Sequence, residues 1–423
     1  MQIFIIALFA CIAVLEFSVT TLKLPTGLRF IVELFSLSAT IYVALTLVSR
    51  GLHVVAGKYW IAFGALAFVI VCGLLSNSVG TGPALAGMRL YLHAIPFFFL
   101  PAVYSFSESQ VKQQLHWLLG IALLQAPVAA YQRWDVWRQG RFTGDLVTGT
   151  LLSSGVMSVF LVCATVLLIG HLLARCIGKG KAVLLFFLIL IPTTINETKA
   201  TVLLLPLGLF VAVLIGSPPG RRLAVAGWTA AMLVGFAALF APVYNLMQTN
   251  NPYQKDLVEF FTDERQLGKY LEAKNAGLGA TGQVGRSDAI VIPASYAARD
   301  PVTLAFGLGM GNASHSSLGK NFTGRYSNIF ASFVITSFSI FILEIGALGV
   351  ALVFVLYYLI FRDSVFLARR DDGIYSAIAI GWAAVVAVMF VATFYITTHV
   401  ADSLAYLFWY LSGLIAARRL QHG

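Results

Sequence analysis

Arg133, Arg138 and Arg141 stand close together in YQRWDVWRQGRFTGD (131–145), interleaved with Trp134 and Trp137. A guanidinium offers a planar fork of donors that matches a phosphate oxygen pair, so such a cluster can hold a phosphate-bearing group. The same residues also fit an interfacial tryptophan belt whose arginines reach toward headgroups. Both readings stay open. More cations fall in segments of the same kind: Arg89 in a short connection, Lys199 in INETKAT beside Glu197, and Arg286, Arg299 and Arg325 in one long polar segment. Two histidines accompany them, His315 in GNASHSSLG and His399 in YITTHVADS. Imidazole is the side chain best suited to general-base work near neutral pH. Glu344 stands in an apolar run, where a carboxylate is costly unless partnered, so it either packs helices or takes part in chemistry.

Motifs for other chemistries are missing. GLGMG (307–311) resembles half of a nucleotide-binding fingerprint but lacks the strand–turn–helix context, so it reads as a loop needing tight turns. There is no Walker sequence, no HExxH and no Cys/His set at metal spacing. The residues therefore point to anion binding with acid–base assistance, with no cofactor and no metal expected.

The elements that must position these groups are membrane helices. The chain has 423 residues, 59% hydrophobic and 11% charged. Soluble domains carry about 25% charged residues, so there is too little charge here to coat a soluble surface. The apolar residues fall in blocks of about 17–25, the length a helix needs to cross hydrocarbon, and not in the alternating segments of a β-barrel. The expected fold is all-α and polytopic. About twelve spans are placed at 3–20, 28–48, 60–75, 90–104, 115–131, 151–173, 182–194, 200–215, 223–243, 345–361, 374–394 and 403–417. The regions are then a nine-span bundle over 1–243, a polar loop with interfacial helices over 244–344, and a three-span bundle over 345–423.

Charge sets the orientation. With the N-terminus inside, the short inner segments and tail hold thirteen basic residues, from Arg50 and Lys58 to Arg418 and Arg419, against seven in the short outer loops. This asymmetry puts both termini in the cytoplasm and the long loop outside. The net charge of +10 is thereby accounted for at span ends, without nucleic acid as a partner. Within the apolar runs, Glu16 and Glu33 read as mid-span acids, and His315 and His399 as the only outer-face histidines. The four cysteines imply no disulfide framework.

Three features of the long loop are expected. Residues 251–274 have helical apolar spacing with one greasy face, followed by a glycine-rich connection. A second helix lies over 286–298, interrupted at Pro293. Residues 328–361 would be about 51 Å long as one helix, too long for one span and too short for two. An interfacial helix over 328–343, a break near Gly346 and then a span satisfy the charge parity.

This combination resembles the O-antigen ligase and polymerase superfamily of bacterial surface polysaccharide assembly. Members have about twelve spans, a large late periplasmic loop and a degenerate C-terminal signature. Here Arg286 opens a helix, Asp300-Pro301 precedes Gly307-Leu308-Gly309, and Glu344-Ile345-Gly346-Ala347-Leu348-Gly349 enters a span. Upstream, Arg141-Phe142-Thr143-Gly144 matches an Arg before a Gly-Thr turn, and Lys199 falls where members carry an Arg. The His-Asn pair expected before the glutamate is absent: Asn328 follows Ser327, and Thr336-Ser337 sits at the nearer spacing.

The resemblance implies a GT-C-like enzyme of the bacterial inner (cytoplasmic) membrane. It would be a metal-independent glycosyltransferase moving glycan from an undecaprenyl-diphosphate-linked donor to an acceptor sugar hydroxyl, for O-antigen or exopolysaccharide. The missing His favours a polymerase. The alternatives are a ligase delivering glycan to lipid A core or another acceptor, and a polysaccharide flippase or transporter. Arg286, His315 and Glu197 are the candidate catalytic residues. Arg133, Arg138, Arg141, Lys199, Arg325 and Arg89 are the candidate substrate-binding ones. The implied partners are the lipid-linked donor, the acceptor glycan or lipid, the bilayer, and a chain-length regulator or flippase.

Overall fold

The computed structural model describes residues 1–141, 144–196, 198–248 and 284–422, with 259, 262, 263 and 268 as isolated positions. The helix expected over 251–274, the glycine-rich connection after it, and Glu197 lie outside the described residues.

Among the described residues every regular element is helical. In chain order they are α1 (Gln2–Thr20), α2 (Phe30–Arg50), α3 (Gly57–Ser76), α4 (Thr81–Leu92), α5 (Pro96–Val103), α6 (Glu108–Arg138), α7 (Ser154–Leu173), α8 (Lys179–Ile195), α9 (Ala200–Gly216) and α10 (Arg222–Gln248). Beyond these come α11 (Asp288–Ala297), α12 (Pro301–Phe306), α13 (Ser327–Phe330), α14 (Ser337–Glu344), α15 (Gly346–Arg370), α16 (Gly373–Ala392) and α17 (Asp402–Gln421). Among the described residues, seven helices are long and apolar enough to cross a membrane, or eight if the bent pair α4–α5 counts as one. A helix suits that setting because it satisfies its own backbone hydrogen bonds without water.

α16 is the hub. Its residues are buried around nearly the whole circumference, and it packs against α7, α9 and α15. Small residues let it approach α7: a side chain at Gly170 would strike the Ala377 carbonyl, and one at Gly381 would meet Leu167 Cα at 2.7 Å. A side chain at Gly413 would likewise strike the Phe98 carbonyl, so α17 lies directly on α5.

Both described chain ends lie at one end of the bundle. The Gln2 side chain donates to the Gln110 carbonyl (3.2 Å) and accepts from Gln114 (2.6 Å), and Tyr410 donates to Gln114 (2.7 Å). Nearby, Arg418 grips Asp371 through two bonds of 2.8 and 2.9 Å. Those hydrogen bonds and the adjacent guanidinium charge hold the Asp371 carboxyl below the usual carboxylate range. At the same end Lys58 and Tyr59 of α3 meet Asp363 of α15 at 2.6 and 2.8 Å. The 284–330 segment sits at the opposite end.

Several local expectations change. Pro293 does not interrupt its helix: α11 runs through it from Asp288 to Ala297. Arg286 lies just before that helix rather than in it. The helix expected over 328–343 is two pieces, α13 and α14, because Thr336 opens a fresh N-terminus by a capping box with Ser339. The break at Gly346 is present, at φ 66°, where a side chain would meet the Ala305 carbonyl and Gly307 nitrogen at 2.5 Å. Glu16 and Glu33 are not mid-span acids. Glu16 lies in the last turns of α1 and pairs with Arg29 (2.7 Å), while Glu33 lies in the first turn of α2 and pairs with Arg89 (2.7 Å).

Candidate functional site

The residues of the glycine-rich loop are held by one buried carboxylate. Glu344, at the end of α14, accepts from the Gly311 nitrogen (2.9 Å), the Ala313 nitrogen (3.1 Å) and the Ser314 hydroxyl (2.7 Å). The Leu308 nitrogen donates to the Leu343 carbonyl (2.6 Å), and Asn77, the residue that caps the end of α3, donates to the Gly307 carbonyl (3.0 Å). Gly309 and Gly311 have φ of 90° and 80°, a region that favours glycine. They also touch other backbones: a side chain at Gly309 would meet the Gly73 carbonyl at 3.0 Å, and one at Gly311 would strike the Pro83 carbonyl. GLGMG is therefore a packing turn, clamped by Glu344 and seated on α3 and α4.

The clamp aims the residues just beyond it. Ser314, His315, Ser316 and Ser317 form one wall of a cavity of about 290 Å³. Its other walls come from the end of α1, the turn Thr26–Arg29, α2, α4 and the start of α17. The ionisable groups inside include Glu16 with Arg29, Glu33 with Arg89, and His93 with Asp402. Arg89 donates from Nε to Glu33 and from a terminal nitrogen to the Ser317 hydroxyl (3.3 Å). That contact ties the loop to α4.

His93 sits where α4 bends into α5, a 44° change of direction beside Pro96. Its Nδ1 meets the Arg89 and Leu90 carbonyls at 2.8 and 3.0 Å, at the C-terminus of α4. Nε2 is left facing Asp402 at 3.4 Å, an ion-pair distance without hydrogen-bond alignment. The carbonyls can only accept, so the proton lies on Nδ1 and Nε2 is the acceptor nitrogen of the ring. His93 and Asp402 were missed in the sequence because the apolar run placed His93 inside a span. The usable signal was the four-residue step from Arg89 to His93 just before a proline, which puts both on one face of a helix about to end.

The α16–α17 connection separates this cavity from a second polar region. On the cavity side Val400, Asp402 and Ser403 line the wall. On the other side Arg286 donates to the Tyr395 carbonyl (2.9 Å) and stacks on the Tyr395 ring (4.9 Å). Between them Ser337 meets His399 Nδ1 (2.8 Å) and Thr398 (3.0 Å), and the His399 ring packs against Phe341 and Tyr91. Burial, and behind it the neighbouring His93, pushes the His399 imidazole down to about 3. His399 is therefore neutral at physiological pH. A histidine 62 residues further along the chain thus stands against Ser337.

The remaining candidates spread over the ends of α6–α9. Arg133 is buried and lies over the Trp137 ring (5.6 Å). Arg138 pairs with Asp135 (2.8 Å) over Trp134, as an interfacial arginine would. Arg141 is exposed. The Lys199 ammonium lies 5.8 Å from the Tyr244 ring, and Asn196 ties the same region to α7 through the Ser154 carbonyl (3.0 Å). Arg325 is exposed over Tyr326, with its backbone nitrogen bonded to Asn312 (3.0 Å). Asp300 caps α12 by accepting from Thr303, and those bonds hold its carboxyl below the usual range. Of the candidates, then, Arg89 and His315 share the cavity. Arg286 lies across the connection from it, and Arg133, Arg138, Arg141, Lys199 and Arg325 are elsewhere on that end of the bundle.

Neither the protein-family models nor the curated proteins contain a match to this chain.

Proposed function

We propose that the chain is a twelve-span, GT-C-like glycan polymerase of the bacterial cytoplasmic membrane, with both termini in the cytoplasm and the cavity on the periplasmic face. It would transfer glycan from an undecaprenyl-diphosphate-linked donor to an acceptor sugar hydroxyl. One observation carries the reading: a Glu344-clamped loop sets His315 and three serines over a cavity that also holds Arg29, Arg89, His93 and Asp402. That set has what glycosyl transfer from a diphosphate asks for.

In the step itself the acceptor oxygen forms a bond to the anomeric carbon. The bond from that carbon to the diphosphate oxygen breaks, and the electron pair leaves with the diphosphate. Arg89 and Arg29 are placed to stabilise that growing charge, a role that commonly supplies much of the barrier reduction. Each guanidinium is already oriented by a carboxylate, Glu33 or Glu16, so little reorganisation is needed when the anion arrives. The acceptor proton goes to the His93–Asp402 pair, where Nε2 of His93 or the Asp402 carboxylate can receive it. The hydroxyls of Ser316 and Ser317 supply donors for sugar oxygens.

The test is elongation in vitro. Purified protein supplied with lipid-linked repeat units should lengthen them without nucleotide sugar. Arg89→Ala should slow elongation on the order of a hundredfold, as expected for losing one charge-stabilising donor. An Arg89→Ala protein that elongates at the parental rate would overturn the assignment of this cavity.

A further inference from the structure

We infer that the opposite end of the bundle carries a separate binding site for an anionic phospholipid. One chain of the lipid would lie between α6, α7, α8, α16 and α17, and its phosphodiester at Lys112 and Lys181. This site extends toward the other end of the bundle, shares only Ser403 with the walls of the cavity described above, and does not depend on that cavity's function.

The observation is a cavity of about 510 Å³, within the size range of small-molecule pockets. Its depth is apolar, with Phe160, Ala164, Leu167, Trp382, Val385 and Leu407 among its walls. Its ionisable residues collect at one end, and Ser403 lies at the other. Lys112 comes from the first turns of α6, His116 from one turn later, His171 from the last turn of α7, and Lys181 from the start of α8. Glu108 is the acid among the lining residues, and it pairs with Lys112 at 2.6 Å with both side chains about half exposed. Two lysines against one carboxylate leave the mouth with a net positive charge.

The histidines are held as donors and acceptors of known sense. His116 Nδ1 meets the Lys112 carbonyl (2.7 Å) and His171 Nδ1 the Leu167 carbonyl (2.8 Å). Each Nδ1 therefore carries the ring proton, which leaves the phosphodiester to the lysines. The exposed Lys181 and Leu184 on α8 and Trp117 on α6 mark the border where polar headgroups meet hydrocarbon.

The chemistry selects the occupant. An apolar void of this size is poorly filled by water, and it opens at a level where lipid chains are the surrounding solvent. A lipid tail gains little by leaving one hydrocarbon for another, because a helix bundle is no more apolar than the bilayer. Selectivity must then come from the headgroup. Lysines at a membrane surface attract anionic lipid by about fivefold each. The cations sit at the end that carries both termini and the excess of basic residues, the side on which anionic lipids are enriched if it faces the cytoplasm.

The experiment equilibrates the purified full chain with vesicles of equal parts phosphatidylglycerol and phosphatidylcholine. The lipid retained after detergent extraction is then weighed by native mass spectrometry. Retention of phosphatidylglycerol over phosphatidylcholine is expected. The exposed-surface variant Lys112→Gln/Lys181→Gln should lose that preference by about fivefold per lysine. Ala164→Phe, which fills the groove from α7, should reduce retention of either lipid. Equal retention of the two lipids by the parent protein overturns the proposal. So does a preference unchanged in the lysine variant, or displacement of the lipid by inorganic phosphate alone, which would indicate an anion site without a chain. The readout is lipid composition, so loss of glycan elongation would neither produce nor mask the result.

Discussion

The most consequential residue is His93, because its two ring nitrogens have different jobs. Nδ1 is committed to the Arg89 and Leu90 carbonyls, which leaves Nε2 facing Asp402 at 3.4 Å in a cavity that also holds two arginines. His93→Ala should therefore lower elongation by about a hundredfold or more, the usual yield of a positioned acid–base group. His93→Gln keeps a polar side chain at the α4 bend but cannot take up a proton, and should be as slow as the alanine variant. Equal activity of the glutamine variant and the parent would reduce His93 to a helix cap. Arg286 gives the contrasting case. Its guanidinium bonds a backbone carbonyl and stacks on Tyr395, so Arg286→Ala should shorten glycan chains by loosening the α16–α17 connection that carries Asp402. Arg286→Lys, which keeps charge but not the planar stack, should rescue only part of the chain length seen on a gel. Full rescue by lysine would mean that charge alone matters there. The two residues also mark what was legible in sequence. Arg286 stood out because it is charged in a polar loop. His93 did not, because one imidazole in an apolar run looks the same whether it is packed in a span or turned into a cavity at a helix bend.

Among the elements, the clamp formed by α14, Glu344 and the 307–314 turn decides whether the cavity has a wall. The spacing of GLGMG and of Glu344-Ile345-Gly346 was readable as turns and a break, since glycines at those positions and a carboxylate in an apolar run leave few alternatives. Their mutual contact was not readable, because Glu344 reaches Gly311 and Ala313 across a separation no local pattern spans. Likewise, the fresh N-terminus at Thr336 rests on Ser339, a weaker signature than the usual Glu or Gln at that position. Glu344→Ala would leave two buried backbone donors and the Ser314 hydroxyl without their acceptor, a cost of about 1–3 kcal/mol for each buried group. The expected result is a chain that still inserts in membranes but is cut by protease within 307–318 faster than the parent, with elongation lost in parallel. Glu344→Gln retains one carbonyl acceptor and should fall between the two. If Glu344→Ala leaves the protease pattern unchanged, the clamp is not what holds the loop.

For the whole molecule, the polar groups divide between two ends joined by apolar helices. One end carries the cavity and the 284–330 segment. The other carries both described termini, the Lys58–Asp363 and Arg418–Asp371 pairs, and the cationic groove. Hydropathy shows that the chain is built of apolar helices and charge asymmetry shows which ends go together, because both are properties of single segments. Neither shows which helix packs on which, and that is set by close approaches such as Gly170 on Gly381 and Gly413 on Phe98. The orientation of the two ends is testable with native chemistry. Cys176, exposed in the turn between α7 and α8, belongs to the terminus-bearing end, whereas Ser317 lines the cavity at the other. In a background where Cys11, Cys72 and Cys163 are serine, a membrane-impermeant maleimide added outside intact spheroplasts should leave Cys176 unlabelled until the cells are lysed. The Ser317→Cys variant, made with Cys176 also replaced by serine, should label without lysis. Labelling of Cys176 from outside would invert the topology. The cavity would then face the cytoplasm, where nucleotide sugars rather than periplasmic lipid-linked glycans are the available donors, and the polymerase reading would fall with it.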